Sequence, residues 1–275
     1  MSIKDILAII DLEGDRAACR LAASLALATD AHVTGLAPVA DFVSPVYIGG
    51  PVPLEMIDDT REVAEDRAAA GLKAFDAILA ETGARGQSAT FSLMEGEGSG
   101  LVSVGRLCDL AVVGQDDPEA MEPAREALIE TLLIEAGAPV LLTPRAYQGP
   151  FKLDKIVIGW DGGLTVSRAV RAALPLLKQA CEIHVAVVDS GRGLGEDAGA
   201  DLALHLARHG FKVQISRLSS LGRDVATTLI EQAVDSDADL IVMGGYGHSR
   251  LRQFILGGAT SDMMRTMTVP VLMAH

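Results

Sequence analysis

Apolar residues in this chain cluster in short runs, and longer segments of mixed character separate them. Ile3–Ile10 is the first run, rich enough in Ile and Leu for a strand buried on both faces, and it stops at Asp11. A helical pattern covers Asp15–Ala28, and His32–Pro38 reads as a second strand. A Pro/Gly-rich loop, Val39–Pro53, leads to a long, charged, Ala-rich helix over Leu54–Glu81. Strands follow at Gln87–Leu93 and Leu110–Gly114, then a helix around Glu119–Ala136 and the strand Pro139–Thr143. Strands alternating with helices predict parallel βαβ units.

The alternation then starts again. Strands are expected at Leu153–Trp160, Glu182–Val188, Phe211–Leu218, Asp239–Gly244 and Val269–Ala274. Helices are expected at Thr165–Lys178, Asp201–His209, Arg223–Val234 and around Thr260–Thr268. The two rounds match in letters and in order. IKDILAIID at 3–11 matches LDKIVIGWD at 153–161, CDLAVVG at 108–114 matches ADLIVMG at 238–244, and APVLLTP at 138–144 matches VPVLMAH at 269–275. The expectation is an internal duplication with a boundary in the Gln148-Gly149-Pro150 turn, giving domains 1–147 and 150–275. Each would be a doubly wound, Rossmann-like α/β unit with a five-stranded parallel sheet. Its ligand crevice would lie beyond the carboxyl ends of the strands, where strand order reverses.

Composition narrows this picture. Hydrophobic residues are 49% of the chain but aromatic residues only 4%, so the core must be built from Ala, Val, Leu and Ile. A formal net charge of −14 disfavours a phosphate backbone as partner, so no nucleic acid is expected. A local nest of backbone N–H groups can still hold a small anion. Cys19, Cys108 and Cys181 form no CxxC pair and read as small core residues. Asp5, Asp11 and Glu13 interrupt any leader-like segment, and no run reaches the ~20 apolar residues of a membrane span. A soluble cytoplasmic protein is expected.

Chemistry concentrates in MGGYGHSRLRQFILGGAT, residues 243–260, between the fourth strand and last helix of the second round. Gly244 and Gly247, then Gly257 and Gly258, remove Cβ atoms from a strand-to-helix turn, so backbone N–H groups and the helix N-terminus are open to an anion. Neither GxGxxG nor GxxxxGK[ST] is present. The spacing Gly244, Gly247 and Gly257 resembles the nucleotide-binding members of the universal stress protein family, which carry glycine, two residues, glycine, nine residues, glycine and then Ser or Thr. Position 258 departs from it: Gly258 stands where the family has a hydroxyl residue. WDGGLTVSRAV at 160–170 also resembles that family's first strand and helix. The resemblance is strong over 153–275 and weak over 1–147.

The resemblance implies strand order 3-2-1-4-5 and binding of ATP or a related adenine nucleotide, with Mg a possible companion. By position, Asp161 would meet the adenine or ribose side, Val187 would offer backbone groups to the adenine, and Met243 and Gly244 would lie under the ribose. Gly247, Gly257, Gly258, Ala259 and Thr260 would surround the phosphates, with Thr260 a partial substitute for the missing hydroxyl. Arg250 could reach a phosphate and His248 report pH, or both could be loop surface. The resemblance also implies pairing through last strands, so Val140–Leu142 and Val269–Met273 would join the two copies within one chain, and a homodimer is a further possibility.

The first round lacks this loop. Asp116, Asp117, Glu119 and Glu122 follow Gly114 and would repel a phosphate, and Asp11 reads as a strand-end polar residue. Other constellations are weak. MEGEGSG at 94–100 fits a flexible loop, the i,i+4 pair His205 and His209 fits a solvated helix face, and Ser167 lies in no GxSxG motif. The expected role is a stress-response, nucleotide-responsive binding or signalling protein without dedicated catalysis. The alternatives are an interaction protein that binds no nucleotide, and a weak ATPase or other nucleotide-dependent enzyme.

Overall fold

The computed structural model describes residues 2–39, 54–92, 100–116, 125–178, 180–189, 195, 197–220, 222–247 and 258–275. The predicted strands appear within a few residues of their expected bounds: β1 Asp5–Ile9, β2 His32–Val39, β3 Arg85–Ser92, β4 Leu110–Gly114 and β5 Val140–Thr143. The second round gives β6 Lys155–Gly159, β7 Glu182–Asp189, β8 Val213–Ser219, β9 Leu240–Gly244 and β10 Val271–Ala274. Helices are α1 Ala17–Thr29, α2 Leu54–Thr82, α3 Gly100–Gly105, α4 Arg125–Glu130, α5 Leu164–Leu177, α6 Ala200–Arg208, α7 Val225–Asp235 and α8 Ala259–Thr266. The six-residue α3 was not expected; it is too short for a legible helical period. The segment expected as one helix to Ala136 changes winding, from α4 to a π-helical stretch Thr131–Ala136 that ends on Gly137 in the left-handed conformation.

The ten strands form one sheet in the order β3-β2-β1-β4-β5-β10-β9-β6-β7-β8. Each set of five follows the order 3-2-1-4-5 with parallel neighbours. The sets meet at an antiparallel ladder in which Val140, Leu141 and Leu142 face Met273, Leu272 and Val271. The two five-stranded sheets expected from the sequence are therefore halves of a continuous one.

Side chains alternate across this sheet as a strand requires. Ile6, Ala8 and Ile10 join a core with α1, α2, α5 and α6 on one face. Leu7 and Ile9 join a second core with α3, α4, α7 and α8 on the other. The long helix α2 docks by the stripe Ala68, Gly71, Phe75 and Leu79. Phe75 lies so close over Gly35 of β2 that a Cβ there would be 2.5 Å from the ring, which explains that strand glycine. Most residues of the outer strands β3 and β8 are partly or fully exposed and many are polar, including Arg85, Gln87, Gln214 and Arg217, which blunts the two free edges.

Hydrogen bonding repeats along with topology. Asp109 Oδ2 accepts from the backbone N–H groups of Lys4 (2.7 Å) and Asp5 (3.1 Å). Asp239 Oδ2 accepts from those of Asp154 (2.7 Å) and Lys155 (3.0 Å). The same carboxylate thus clasps the start of the first strand in each round. Of the three cysteines, Cys19 is buried, Cys108 half-buried and Cys181 exposed, so Cys181 is not the core residue expected. Burial pushes the Cys108 thiol up to about 12 and the Cys19 thiol higher still, so neither is a thiolate at neutral pH.

Each clasp is two charge-assisted hydrogen bonds. Asp239→Ala is expected to lower unfolding free energy by about 1.5–3 kcal/mol, and Asp109→Ala by less because Asp109 is more exposed; urea unfolding of both variants measures the difference.

Candidate functional site

β6 pairs with β7 on one side and β9 on the other, so the second half reverses strand order between β6 and β9. After β6 the chain crosses to α5 on one face, and after β9 it crosses to α8 on the other. In doubly wound folds the ligand crevice lies at such a point, beyond the carboxyl ends of the strands.

Asp161 builds the entry to α5. Its Oδ1 accepts from the N–H of Gly163 at 2.8 Å, and Gly162 takes φ 73°, a turn a Cβ would strain. Gly163 is then the N-cap, with no side-chain cap on the helix. On the other wall, Gly258 is the N-cap of α8 in extended conformation (φ −118°, ψ 147°), again with no side-chain cap. α7 differs: Asp224 caps it by accepting from the N–H of Thr227 at 2.7 Å. The two helices that begin at the crevice therefore present glycine-capped N-termini, where N–H groups and dipole favour an anion.

The glycines between these helices have a packing reason as well. A Cβ on Gly244 would lie 2.3 Å from Thr165 Oγ1 and 2.8 Å from the Val166 backbone nitrogen; one on Gly247 would lie 3.0 Å from Thr165 Oγ1. The first turn of α5 thus sits directly on the loop leaving β9, and Thr165 is a residue that reading for glycines alone overlooks. Thr260 is 4% exposed, and its Oγ1 accepts from the N–H of Tyr246 at 3.0 Å. It fastens the loop to α8 with Tyr246 in the left-handed region (φ 50°). The hydroxyl accepts in that contact and keeps its own proton to donate.

The other expected positions divide clearly. Val187 is buried in β7, where the ladder with β8 continues to Asp189 after the ladder with β6 has ended at Ala186, so it lies in the overhang beside the crevice. Met243 is buried in β9 under the loop, and Ala259 opens α8. His248, Arg250 and Gly257 lie outside the described residues. His275 was not anticipated: its Nδ1 lies 3.2 Å from the Gly245 carbonyl, and Arg168 Nη1 donates to its carbonyl at 2.8 Å.

In the first half, Asp11 stands just beyond the end of β1, as expected, but it has a buried partner that the sequence did not show. This residue is 8% exposed and forms an ion pair at 2.7 Å with the equally buried Arg125, which also donates to the Gly114 carbonyl at 3.2 Å. Gly114 makes room for the pair: its Cβ would lie 2.5 Å from Asp11 Oδ1. The acids expected to repel phosphate, Asp117, Glu119 and Glu122, are outside the described residues, and Asp116 is exposed. His205 and His209 are exposed, with rings 4.8 Å apart, and no group of three metal-ligating side chains occurs among the described residues. Ser167 donates to the Gly163 carbonyl at 2.9 Å, a helix contact.

Residues 152–275 match the universal stress protein family. The C-terminal half of the chain is thus similar to a universal stress protein domain. Universal stress protein Slr1230 of Synechocystis sp. is 25% identical over 152 residues, which are 53% of this chain and 50% of that relative. The match thus spans about half the length of that curated relative. A universal stress protein structure from Archaeoglobus fulgidus DSM 4304 covers 98% of the chain and 96% of its own length, with a TM-score of 0.69 at 16% identity. PA1789 of Pseudomonas aeruginosa PAO1, described as functionally unknown, covers 98% and 92% with a TM-score of 0.55 at 18% identity. These likenesses establish the universal stress protein fold over the whole chain. No helix among the described residues is long and apolar enough to cross a membrane.

Thr260→Val removes the acceptor for the Tyr246 N–H and is expected to cost about 1–3 kcal/mol, whereas Thr260→Ser keeps it; thermal melts of the pair separate packing from the hydrogen bond. The Thr227 N–H holds the Asp224 carboxyl below its ordinary value. A lowered folded-state pKa stabilises above the unfolded value of about 3.9 and is lost as pH falls through the folded value. Asp224→Ala is therefore expected to cost about 0.5–2 kcal/mol at neutral pH, with a difference from the parent that shrinks on acidification below about pH 4, measured by urea unfolding across that range.

Proposed function

We propose that the second half binds an adenine nucleotide, ATP, ADP or AMP, with Mg accompanying the longer ones, and that the protein acts as a nucleotide-responsive binding or signalling component of a stress response. The observation that carries this reading is the pair of glycine-capped helix N-termini at one switch-point crevice. An anion placed there receives backbone N–H donors from α8 without crossing a side chain. The overhanging end of β7, with Val187, supplies an edge of free backbone length for a base. In this reading Asp161, Met243 and Gly244 would meet the ribose, and Gly247, Gly258, Ala259 and Thr260, with His248, Arg250 and Gly257, would meet the phosphates.

The division we propose places one domain at 1–147 and the other at 150–275, fused so that their last strands pair within the chain. A cytoplasmic location and a homodimer built from such fused pairs belong to the same proposal. The second reading, a partner-binding protein without nucleotide, is favoured by Gly258, because a hydroxyl there would add a donor to a charged group worth about 1.5–3 kcal/mol.

Gly258 has an extended backbone open to any residue. Gly258→Ser is expected to tighten AMP or ATP binding about ten-fold or more, and Gly247→Val, whose side chain meets Thr165, to abolish it. Titration calorimetry decides: no heat with ATP, ADP or AMP at millimolar concentration, in the parent and in Gly258→Ser, overturns nucleotide binding.

A further inference from the structure

A cavity of about 520 Å³ opens in the first half, at the carboxyl ends of β1, β4 and β5. Its walls include Asp11, Arg16, Gln115, Arg125, Thr143 and Arg145. The volume is that of a small-molecule site, and its place is the switch point where β1 meets β4.

Thr143 Oγ1 and Arg16 Nε, both buried in these walls, have no hydrogen-bond partner among the described residues. Thr143 is wholly buried at the end of β5, in register with Gly114, which seats the Asp11–Arg125 pair. Arg16 comes from a different element, the N-cap of α1, and takes the left-handed backbone conformation at φ 51°. Its Nη2 and Nη1 donate to the carbonyls of Leu12 (3.3 Å) and Gly14 (3.4 Å), so the guanidinium is fixed in place before any ligand arrives. Buried polar groups are nearly always satisfied, and two orphans converging from separate elements on one cavity mark a place where a ligand supplies the partners.

The chemistry of that ligand follows from the walls. Arg16 Nε donates and cannot accept, so the ligand must offer acceptor oxygens. Asp11 is neutralised by Arg125, and Glu13 by Arg67 of α2. Arg16 sets a fixed guanidinium into the wall beside the Thr143 hydroxyl. Arginine forks match planar or tetrahedral oxyanions. We propose that this cavity binds a small oxyanion, a carboxylate or a phosphate group, between Arg16 and Thr143. This site is separate from the crevice of the second half and stands whether or not that crevice binds nucleotide.

The test is titration calorimetry of the full chain with inorganic phosphate and with malonate at constant ionic strength. One equivalent of either is expected to bind at millimolar concentration or tighter, and the preferred probe distinguishes phosphate from carboxylate. Arg16→Gln should weaken binding about ten-fold or more. Arg16→Lys should also weaken it, since it keeps the charge but lacks Nε. Thr143→Val, nearly isosteric in its buried position, should weaken it several-fold. Gly247→Val, in the second half, should leave it unchanged. Circular dichroism confirms that each variant is folded. No binding of either probe at tens of millimolar overturns the proposal, as does binding that survives both Arg16→Gln and Thr143→Val or that disappears in Gly247→Val.

Discussion

The antiparallel ladder between β5 and β10 sets the geometry of everything else. All other strand pairings are parallel, so this one contact reverses direction once across the sheet. The carboxyl ends of the first five strands and those of the second five therefore point to opposite edges. Both switch-point crevices are forced apart, one at each edge, although the sequence that builds them is repeated in order. The ladder also removes one edge from each half, β5 from the first and β10 from the second. The residues at the seam, Leu141, Leu142, Leu272 and Met273, are all at 1% exposure or less. Apolar burial from both faces and six paired residues make this a core contact, unlike the polar outer edges β3 and β8.

The two crevices share a scaffold and have diverged in chemistry. In each, an aspartate stands just beyond the first strand and a glycine ends the fourth. In the second half Asp161 turns the chain into α5, and Gly244 lets that helix settle on the loop after β9. Asp161 itself stays exposed, and neither α5 nor α8 has a side-chain cap. In the first half Asp11 points inward to a buried arginine, and Gly114 is the space that pair occupies. A buried ion pair of this kind is a weak source of net stability, because desolvation offsets most of the attraction, but losing one partner leaves a charge stranded. The repeat has thus exchanged an exposed backbone nest for enclosed side chains.

Periodicity made the strands legible, since each is a short apolar run buried on both faces, and letter matches such as CDLAVVG with ADLIVMG located equivalent strands correctly. It made α2 legible too, through length and Ala content. What it missed depends on long-range contact. Arg125 looks like any charged residue at a helix start until Asp11, far away in sequence, is placed opposite it. Thr165 is unremarked in WDGGLTVSRAV because its importance lies in what it forbids at Gly244 and Gly247. Thr260 was readable as a hydroxyl near phosphate, whereas its oxygen accepts from Tyr246. The arginines that the fold brings together from α1, α4 and the end of β5 were likewise illegible, because they are far apart in sequence.

One side chain touches both ends of this arrangement. Gln115 lines the first-half cavity, and its Nε2 donates to the carbonyls of Met264 (3.1 Å) and Arg265 (3.0 Å), in the last turn of α8. Its Oε1 accepts from the Arg145 N–H at 3.2 Å, on the wall of the same cavity. Glu126, next to Arg125, accepts from Ser261 Oγ at 2.9 Å, in the first turn of α8. The helix whose N-terminus opens on the second crevice is therefore held at its far end by the wall of the first. A rigid helix cannot shift at one terminus without moving the other, so a displacement of α8 along its axis must either break both Gln115 bonds or carry Gln115 with it. Any free energy that this contact transmits is reciprocal: what one cavity imposes on α8, the other feels to the same extent.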